Sequence, residues 1–232
     1  MKKIMLAAAI AALSSTAFAG GSVGLGYQSS TVAPNYGDCW SECFGDGEPA
    51  GFALNASYEM SGVFVALDYA DLADEEDHYD DTSVEIAQTR LGAQVGYRYA
   101  LNDATNLTGA LEFASYEWEY NWVVNNGNNY FYDAEDDGVN LVLGANTKIN
   151  DKLTMGGSLS AGFETGVSAY MAVALTPSVS VKTSYSRVSY ELGEWAYRPF
   201  WNSYVPVTGS ALGDGDMQFN DESMRVSLNY AF

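Results

Sequence analysis

Apolar and polar residues alternate along the last eleven residues of the chain, and this two-residue period constrains the fold more than any other feature. Five apolar residues share one face of the segment when it is extended: Met224, Val226, Leu228, Tyr230 and Phe232. The other face carries small and polar residues and a single charge, Arg225. Such alternation predicts a β-strand whose two faces meet different solvents.

Nine earlier segments repeat this alternation, so the sequence predicts an all-β, antiparallel, up-and-down sheet of about 10 strands. Short turns rich in Gly, Asn, Asp or Pro alternate with longer polar connections. The long connections are predicted at residues 31–50, 71–82, 121–137 and 191–221. Eight strands is the alternative, and it requires merging the seventh and eighth segments across residues 164–166, where Glu-Thr-Gly predicts a turn.

The start of the chain predicts secretion. Residues 1–19 contain a basic start, an apolar core at residues 6–13 and the small-x-small site Ala17-Phe18-Ala19. These are the three regions of a signal peptide, so we expect cleavage after Ala19 and one mature domain, residues 20–232. No later stretch approaches the roughly 20 consecutive apolar residues of a transmembrane helix. A membrane-embedded mature chain would therefore have to be a closed barrel.

The closing segment resembles the last strand of Gram-negative outer-membrane β-barrels. The assembly machinery of those proteins recognises a C-terminal Phe preceded by aromatic or apolar residues at alternate positions, and Tyr230 and Phe232 match that pattern. The resemblance implies a small porin-like or outer membrane protein A-like transmembrane barrel in the cell outer membrane. The implied partners are the barrel assembly machinery, outer-membrane lipid and lipopolysaccharide, and we expect a monomer.

Aromatic residues fit this orientation, because amphipathic rings settle at the two membrane interfaces. One predicted girdle lies near the periplasm: Tyr58, Tyr97, Tyr99, Tyr230 and Phe232. The other lies towards the cell exterior: Tyr27, Tyr69, Phe113, Phe163 and Tyr185. In the fifth segment the apolar parity changes between Phe113 and Tyr116, which predicts either a bulge or the point where the strand leaves the bilayer.

The chain is strongly acidic, with 30 Asp and Glu against 10 Lys and Arg and a net charge of −20. Such an excess argues against nucleic-acid binding, which needs basic surface. Most acids lie in the long connections, with dense clusters at residues 71–81 and 133–137. Repulsion keeps such runs solvated. Neither cluster has the spacing of a dedicated calcium loop, so we predict no metal site and no cofactor.

Seven charged residues fall on strand faces opposite the apolar stripe, and they are predicted to point into the barrel: Asp68, Arg90, Arg98, Glu112, Lys148, Lys182 and Arg225. One interpretation is a lumen filled by ion pairs, with Glu112 paired to Arg98 on the neighbouring strand. The other is a narrow, cation-lined path for small anions. The small width of such a barrel favours the filled lumen.

Cys39 and Cys43, the only cysteines, lie in the first long connection. An oxidising secretory route makes a disulfide the default, and no second Cys or His pair completes a metal site. In the chain-entropy model a bridge closing so short a loop stabilises by about 2 kcal/mol.

Three functions remain open at this stage. The first is a structural or narrow porin-like barrel with acidic, aromatic-rich extracellular loops, and the second is surface binding or adhesion by those aromatic loops. The third is an omptin-like hydrolase, a ten-stranded class that uses acids and a His at the outer rim. Here the only His is His78, in an acidic run, and no Gly-x-Ser-x-Gly elbow is present. We therefore predict no enzymatic activity and no catalytic residue.

Overall fold

The computed structural model describes residues 20–35, 47–78, 82–124, 128–192, 196–199, 205–206 and 217–232. Within those ranges all regular structure is β-strand, and no helix is long and apolar enough to cross a membrane. The strands are β1 (Gly20–Asn35), β2 (Ala50–Met60), β3 (Val63–His78), β4 (Thr82–Ala100), β5 (Thr105–Val124), β6 (Asn128–Lys148), β7 (Leu153–Gly162), β8 (Glu164–Ala174), β9 (Val179–Leu192), β10 (Ala196–Pro199), β11 (Val205–Pro206) and β12 (Met217–Ala231).

Ten of these strands, β1–β9 and β12, close into a barrel. Each pairs antiparallel with its neighbours along the chain, and β12 pairs with both β9 and β1. The closing ladder runs without interruption from Ser22↔Ala231 to Asn35↔Gln218. The predicted ten-stranded, up-and-down antiparallel barrel is therefore confirmed. The eight-stranded alternative is wrong, because β7 and β8 are separate strands joined at Phe163.

The two ends of the barrel differ. Four short turns, residues 61–62, 101–104, 149–152 and 175–178, lie at the end that also holds Gly20 and Phe232, called the turn end. The opposite end, called the loop end, carries the longer connections. Local chemistry builds the turns: the Asn102 side chain accepts bonds from the backbone N–H groups of residues 104 and 105, at 2.9 and 2.8 Å. The Ser61–Gly62 turn places both residues at positive φ, 53° and 84°.

The exterior of the barrel wall is apolar, because every strand turns its apolar set outwards. Leu25, Leu111 and Leu159, for example, are each more than half exposed. Small and polar residues face inwards, where Ser227 and Asn140 are buried. In this part of the wall the polarity is therefore the inverse of that in a soluble protein, because apolar side chains face outwards and polar side chains face inwards.

The wall is uneven at the loop end. β6 spans 21 residues, whereas β7 spans 10 and pairs with β6 only from Asn140↔Gly162 to Lys148↔Thr154. β3, β4, β5 and β6 continue well beyond the β7–β8 turn as a four-stranded extension. Above β7, the short strand β10 pairs with β6 over residues 130–133.

This extension corrects the predicted long loops, because residues 71–78, 121–124 and 128–137 are strand. Likewise β1 continues to residue 35, β9 reaches Leu192 and β12 begins at Met217. The physical reason is that cross-strand pairing persists where the inward faces still find apolar contacts. Leu72 and Trp118 are buried there, and Ile86 packs against the buried cluster that contains Trp118.

The change of apolar parity in β5 is not a bulge. The β4–β5 ladder is continuous from Thr82↔Val124 to Ala100↔Asn106. Phe113 faces outwards and is 43% exposed, whereas Tyr116 and Trp118 face inwards and are buried. The outward positions become acidic at Glu117. The strand has thus passed from an apolar exterior to an aqueous one, and the aromatic residues beyond that point fill the lumen.

Candidate functional site

Arg90, on β4, is the centre of an ion-pair cluster that crosses the lumen. Its Nη2 donates to Glu112 of β5 at 3.1 Å and to Glu164 of β8 at 3.2 Å. Its Nη1 lies 3.5 Å from Asp68 of β3, and its Nε donates to the Tyr116 hydroxyl at 2.8 Å. Because β8 is on the far side of the ring from β4, one guanidinium ties opposite walls together.

Arg225, on β12, extends the cluster. Its guanidinium forms a bidentate salt bridge with Asp68, in which Nη2 lies 2.9 Å from Oδ1 and Nη1 contacts Oδ2. Its Nε donates to Gln28 of β1 at 2.8 Å. Asp68 is therefore shared by two arginines, and the cluster spans β1, β3, β4, β5, β8 and β12.

The buried carboxylates of this cluster are all satisfied. Glu112 also accepts from Gln94 at 3.2 Å and Asn140 at 3.4 Å. Glu164 accepts the Tyr116 hydroxyl at 2.6 Å, and its backbone N–H donates to Asn140 at 2.8 Å. Both glutamates are at most 3% exposed. An unpaired buried charge is expensive, so this network stabilises the closed lumen only while it is complete.

A layer of stacked aromatic rings lies on the loop-end side of the ion pairs. Tyr116 stacks on Tyr190 with ring centroids 4.0 Å apart, and Phe219 stacks on both Tyr190 (5.6 Å) and Trp118 (5.4 Å). The Trp118 indole N–H donates to the Tyr190 hydroxyl at 2.9 Å. All four side chains are buried. Phe163, predicted on the lipid face, instead packs inwards against Tyr116, with ring centroids 6.2 Å apart.

A buried carboxylate, Asp221, adjoins the aromatic layer. It accepts a hydrogen bond from Ser30 at 2.8 Å and from the Gln88 side-chain amide at 2.7 Å. Gln88 also lies 3.5 Å from the Tyr190 hydroxyl. Polar and aromatic groups at this height are thus connected by hydrogen bonds across the barrel.

A cavity of about 590 Å³ occupies the lumen on the other side of the ion pairs. Its lining includes the ion-pair residues at one limit and Ser22, Ser180 and Ala231, near the turn end, at the other. The cavity is therefore a blind vestibule, called here the lumen cavity, which reaches the turn end and stops at the charged and aromatic layers.

The structure brings together four of the seven charged residues selected from sequence: Asp68, Arg90, Glu112 and Arg225. Lys182 lies apart on the cavity wall. Arg98 pairs with Glu59, not with Glu112 as predicted, because its directly opposite residue on β5 is Thr108. Lys148 forms an exposed 3.1 Å pair with Asp151 in a short turn and takes no part in the cluster.

The sequence does not identify two buried acids, one in the ion-pair cluster and one beside the aromatic layer. It predicts Glu164 in a turn, but Glu164 is the first residue of β8, and the connection is Phe163 alone. It predicts Asp221 at the end of a loop, but Asp221 lies within β12. Glu164 precedes Thr165 and Gly166, and Asp221 lies between Asn220 and Glu222, so both segments look like turns or loops in sequence. Only the inward parity shared with Gly166 and Ser223 indicates that these acids face the lumen.

At the C-terminal end, Tyr230 and Phe232 lie on the outward face of the turn end, with ring centroids 6.5 Å apart. Phe232 also exchanges backbone hydrogen bonds with Gly21 of β1, at 3.0 and 3.1 Å. Cys39 and Cys43 lie outside the described residues. In the described ranges no three His, Cys, Asp or Glu side chains are grouped to hold a metal ion.

Residues 4–162 match the family described as the outer membrane protein beta-barrel domain, which is more than half of the 232 residues. The chain belongs to this family. Membership of this family places the barrel in the outer membrane. Because the periplasmic turns of such barrels are short, the turn end corresponds to the periplasmic side.

The barrel is similar to solved structures of outer-membrane proteins. The outer membrane protease OmpT from Escherichia coli is 12% identical with a TM-score of 0.59, and the match covers 92% of this chain and 96% of OmpT. Ail, the attachment invasion locus protein of Yersinia pestis, is 13% identical with a TM-score of 0.45, covering 92% and 99%. No curated protein sequence matches. Identities this low describe fold only.

Proposed function

We propose that this protein is a structural barrel of the outer membrane, without enzymatic activity, whose lumen is closed to steady diffusion. The observation that carries the proposal is the pair of layers that cross the lumen in succession. The Arg90 cluster ties opposite walls together, and the stacked rings of Tyr116, Tyr190 and Phe219 cover it on the loop-end side.

Barrel width supports the same conclusion. Eight strands already leave an interior that side chains just fill, and ten strands add little room. The inward residues at the height of the layers are large, and Tyr116 and Tyr190 are at most 2% exposed. A narrow porin would need these side chains to leave the axis, and that would break several buried hydrogen bonds at once.

Conductance in planar lipid bilayers tests the proposal. The purified wild type should insert without a steady open-channel current in potassium chloride. A variant carrying both Trp118→Ala and Tyr190→Ala removes two rings of the aromatic layer and should give frequent openings. A matched Tyr97→Ala/Tyr99→Ala variant removes two exposed, outward-facing rings and should behave as the wild type does. A stable, voltage-independent current from the wild type would contradict the closed lumen and favour the narrow porin.

The surface-binding and omptin-like hypotheses rest on sequence alone. The side chains of the aromatic residues proposed for surface contact, such as Trp122 and Tyr197, lie outside the described part of the structure. The backbone of His78 ends β3, but its side chain is also outside them. The hydrogen-bonded acids of the lumen are occupied by arginine and amide donors. The described residues therefore add no support to either alternative.

A further inference from the structure

The lumen cavity has two unlike walls. On the β1–β5 side the lining combines large polar side chains such as Arg90, Gln94 and Glu112 with small residues such as Ser57. The side formed by β7, β8, β9 and β12 carries more of the small hydroxyl side chains, among them Ser168, Ser180, Ser184, Ser223 and Ser227. That half of the cavity is therefore rich in neutral hydrogen-bonding groups.

Lys182 projects from this hydroxyl-lined wall. It is the fourth residue of β9, and its ammonium lies 4.5 Å from the centre of the Tyr170 ring. A cation–π contact of this kind fixes the position of the ammonium but uses none of its N–H donors. Among the described residues, no carboxylate lies within 4.0 Å of the Lys182 ammonium, whereas Arg90, Arg98 and Arg225 each have such a partner.

The acids that line the cavity are already engaged. Asp68 is held by Arg225 and Arg90. Glu112 and Glu164 are held by Arg90. Asp221, the fourth, accepts hydrogen bonds from two neutral side chains. The Lys182 ammonium therefore has unused donors. It lies beside the arginine cluster, one inward position nearer the turn end than Arg225 of the neighbouring strand β12.

We propose that the lumen cavity is a binding site for a small hydroxylated anion, of the class of phosphorylated or carboxylated monosaccharides. Lys182 binds the anionic group, and the serine hydroxyls of β8, β9 and β12 bond the sugar hydroxyls. The volume of about 590 Å³ lies inside the range of roughly 300–1,000 Å³ usual for small-molecule sites. Because the cavity ends at the charged layer, the solute enters and leaves at the turn end, the periplasmic side.

Calorimetric titration of the folded protein in detergent micelles tests this site, with glucose 6-phosphate as the charged probe and glucose as the uncharged one. The wild type should bind glucose 6-phosphate with saturation, and glucose at least tenfold more weakly. Lys182→Met keeps a long unbranched side chain and should weaken binding of glucose 6-phosphate by about tenfold or more, the ratio expected for one charge-assisted hydrogen bond.

Two further variants keep the test independent of folding defects. Lys148→Met removes an exposed turn-end lysine that lies outside the cavity lining, and its affinity should equal that of the wild type. Ser184→Val leaves all charges in place and should weaken binding several-fold. The absence of saturable binding by the wild type, or equal affinity in Lys182→Met and Lys148→Met, would overturn the proposal. Binding is measured without a membrane potential, so a conducting barrel would leave this result intact.

Discussion

Replacing Arg90 with methionine tests the ion-pair cluster most directly. Methionine fills much of the same space but strands Glu112 and Glu164, whose side chains are 4% and 3% exposed. Removing one partner of a buried ion pair costs about 3–5 kcal/mol, because the remaining charge stays desolvated. Hydrogen bonds from Gln94 and Tyr116 to the two glutamates persist and hold the loss within that range.

A matched control is available on β9. Arg187 pairs with Glu222 at 3.3 Å, but their side chains are 61% and 46% exposed. The same substitution, Arg187→Met, should therefore lower the free energy of unfolding by only about 0–1 kcal/mol. The comparison separates the effect of burial from the generic effect of losing an arginine.

The assay is urea unfolding of the barrel in phospholipid vesicles, followed by tryptophan fluorescence and extrapolated linearly to zero denaturant. A double variant, Arg90→Met with Glu112→Gln, removes one stranded charge and should recover part of the loss. If Arg90→Met differs from Arg187→Met by less than about 1 kcal/mol, the cluster does not stabilise the lumen as argued.

Three other predictions concern separate parts of the chain. Phe232→Ser should reduce the amount of assembled protein in outer-membrane fractions, and a normal yield would contradict a role for this residue in assembly. Cys39 and Cys43 should be bonded, so thiol titration of denatured, unreduced protein should find none; two thiols per chain would exclude the disulfide. Gly162→Ala should destabilise by about 1–3 kcal/mol, because the residue has φ of +142° and a Cβ would lie 2.4 Å from a backbone oxygen of β6. Gly109→Ala, whose new methyl group would come no closer than 3.7 Å to its nearest neighbour, is the control, and equal stability of the two variants would refute the argument.

The barrel itself could be predicted from sequence because its signals are local. Period-2 alternation assigns each strand and its two faces, and residues such as Asn102 mark the turns without reference to the rest of the chain. Closure then follows from the even number of strands and the apolar exterior. For the same reason, the inward direction of Arg90 and Arg225 was available from parity alone.

The partners of those inward charges were not available, because they depend on register. Glu112 lies directly opposite Gln94, and it is reached diagonally by Arg90, two inward positions away on β4, past Gly92. A sequence gives neither the stagger between strands nor the contact across the lumen with Glu164. The strand extension was missed for a related reason: outside the apolar band, acidic outward residues such as Glu117 hide a strand that is held by its buried inner face.

The seam between β1 and β12 joins the two ends of the described chain, whereas every other backbone ladder of the barrel links two barrel strands that follow one another. Neighbouring hairpins can form early because their loops are short, but this seam must wait for the last strand to be present. Until then the backbone groups of β1 and β9 remain available to any other extended chain. A chain truncated before Met217 would thus carry two long unpaired strand edges. Whether it aggregates would depend on how soon it is degraded or bound by another protein in the periplasm.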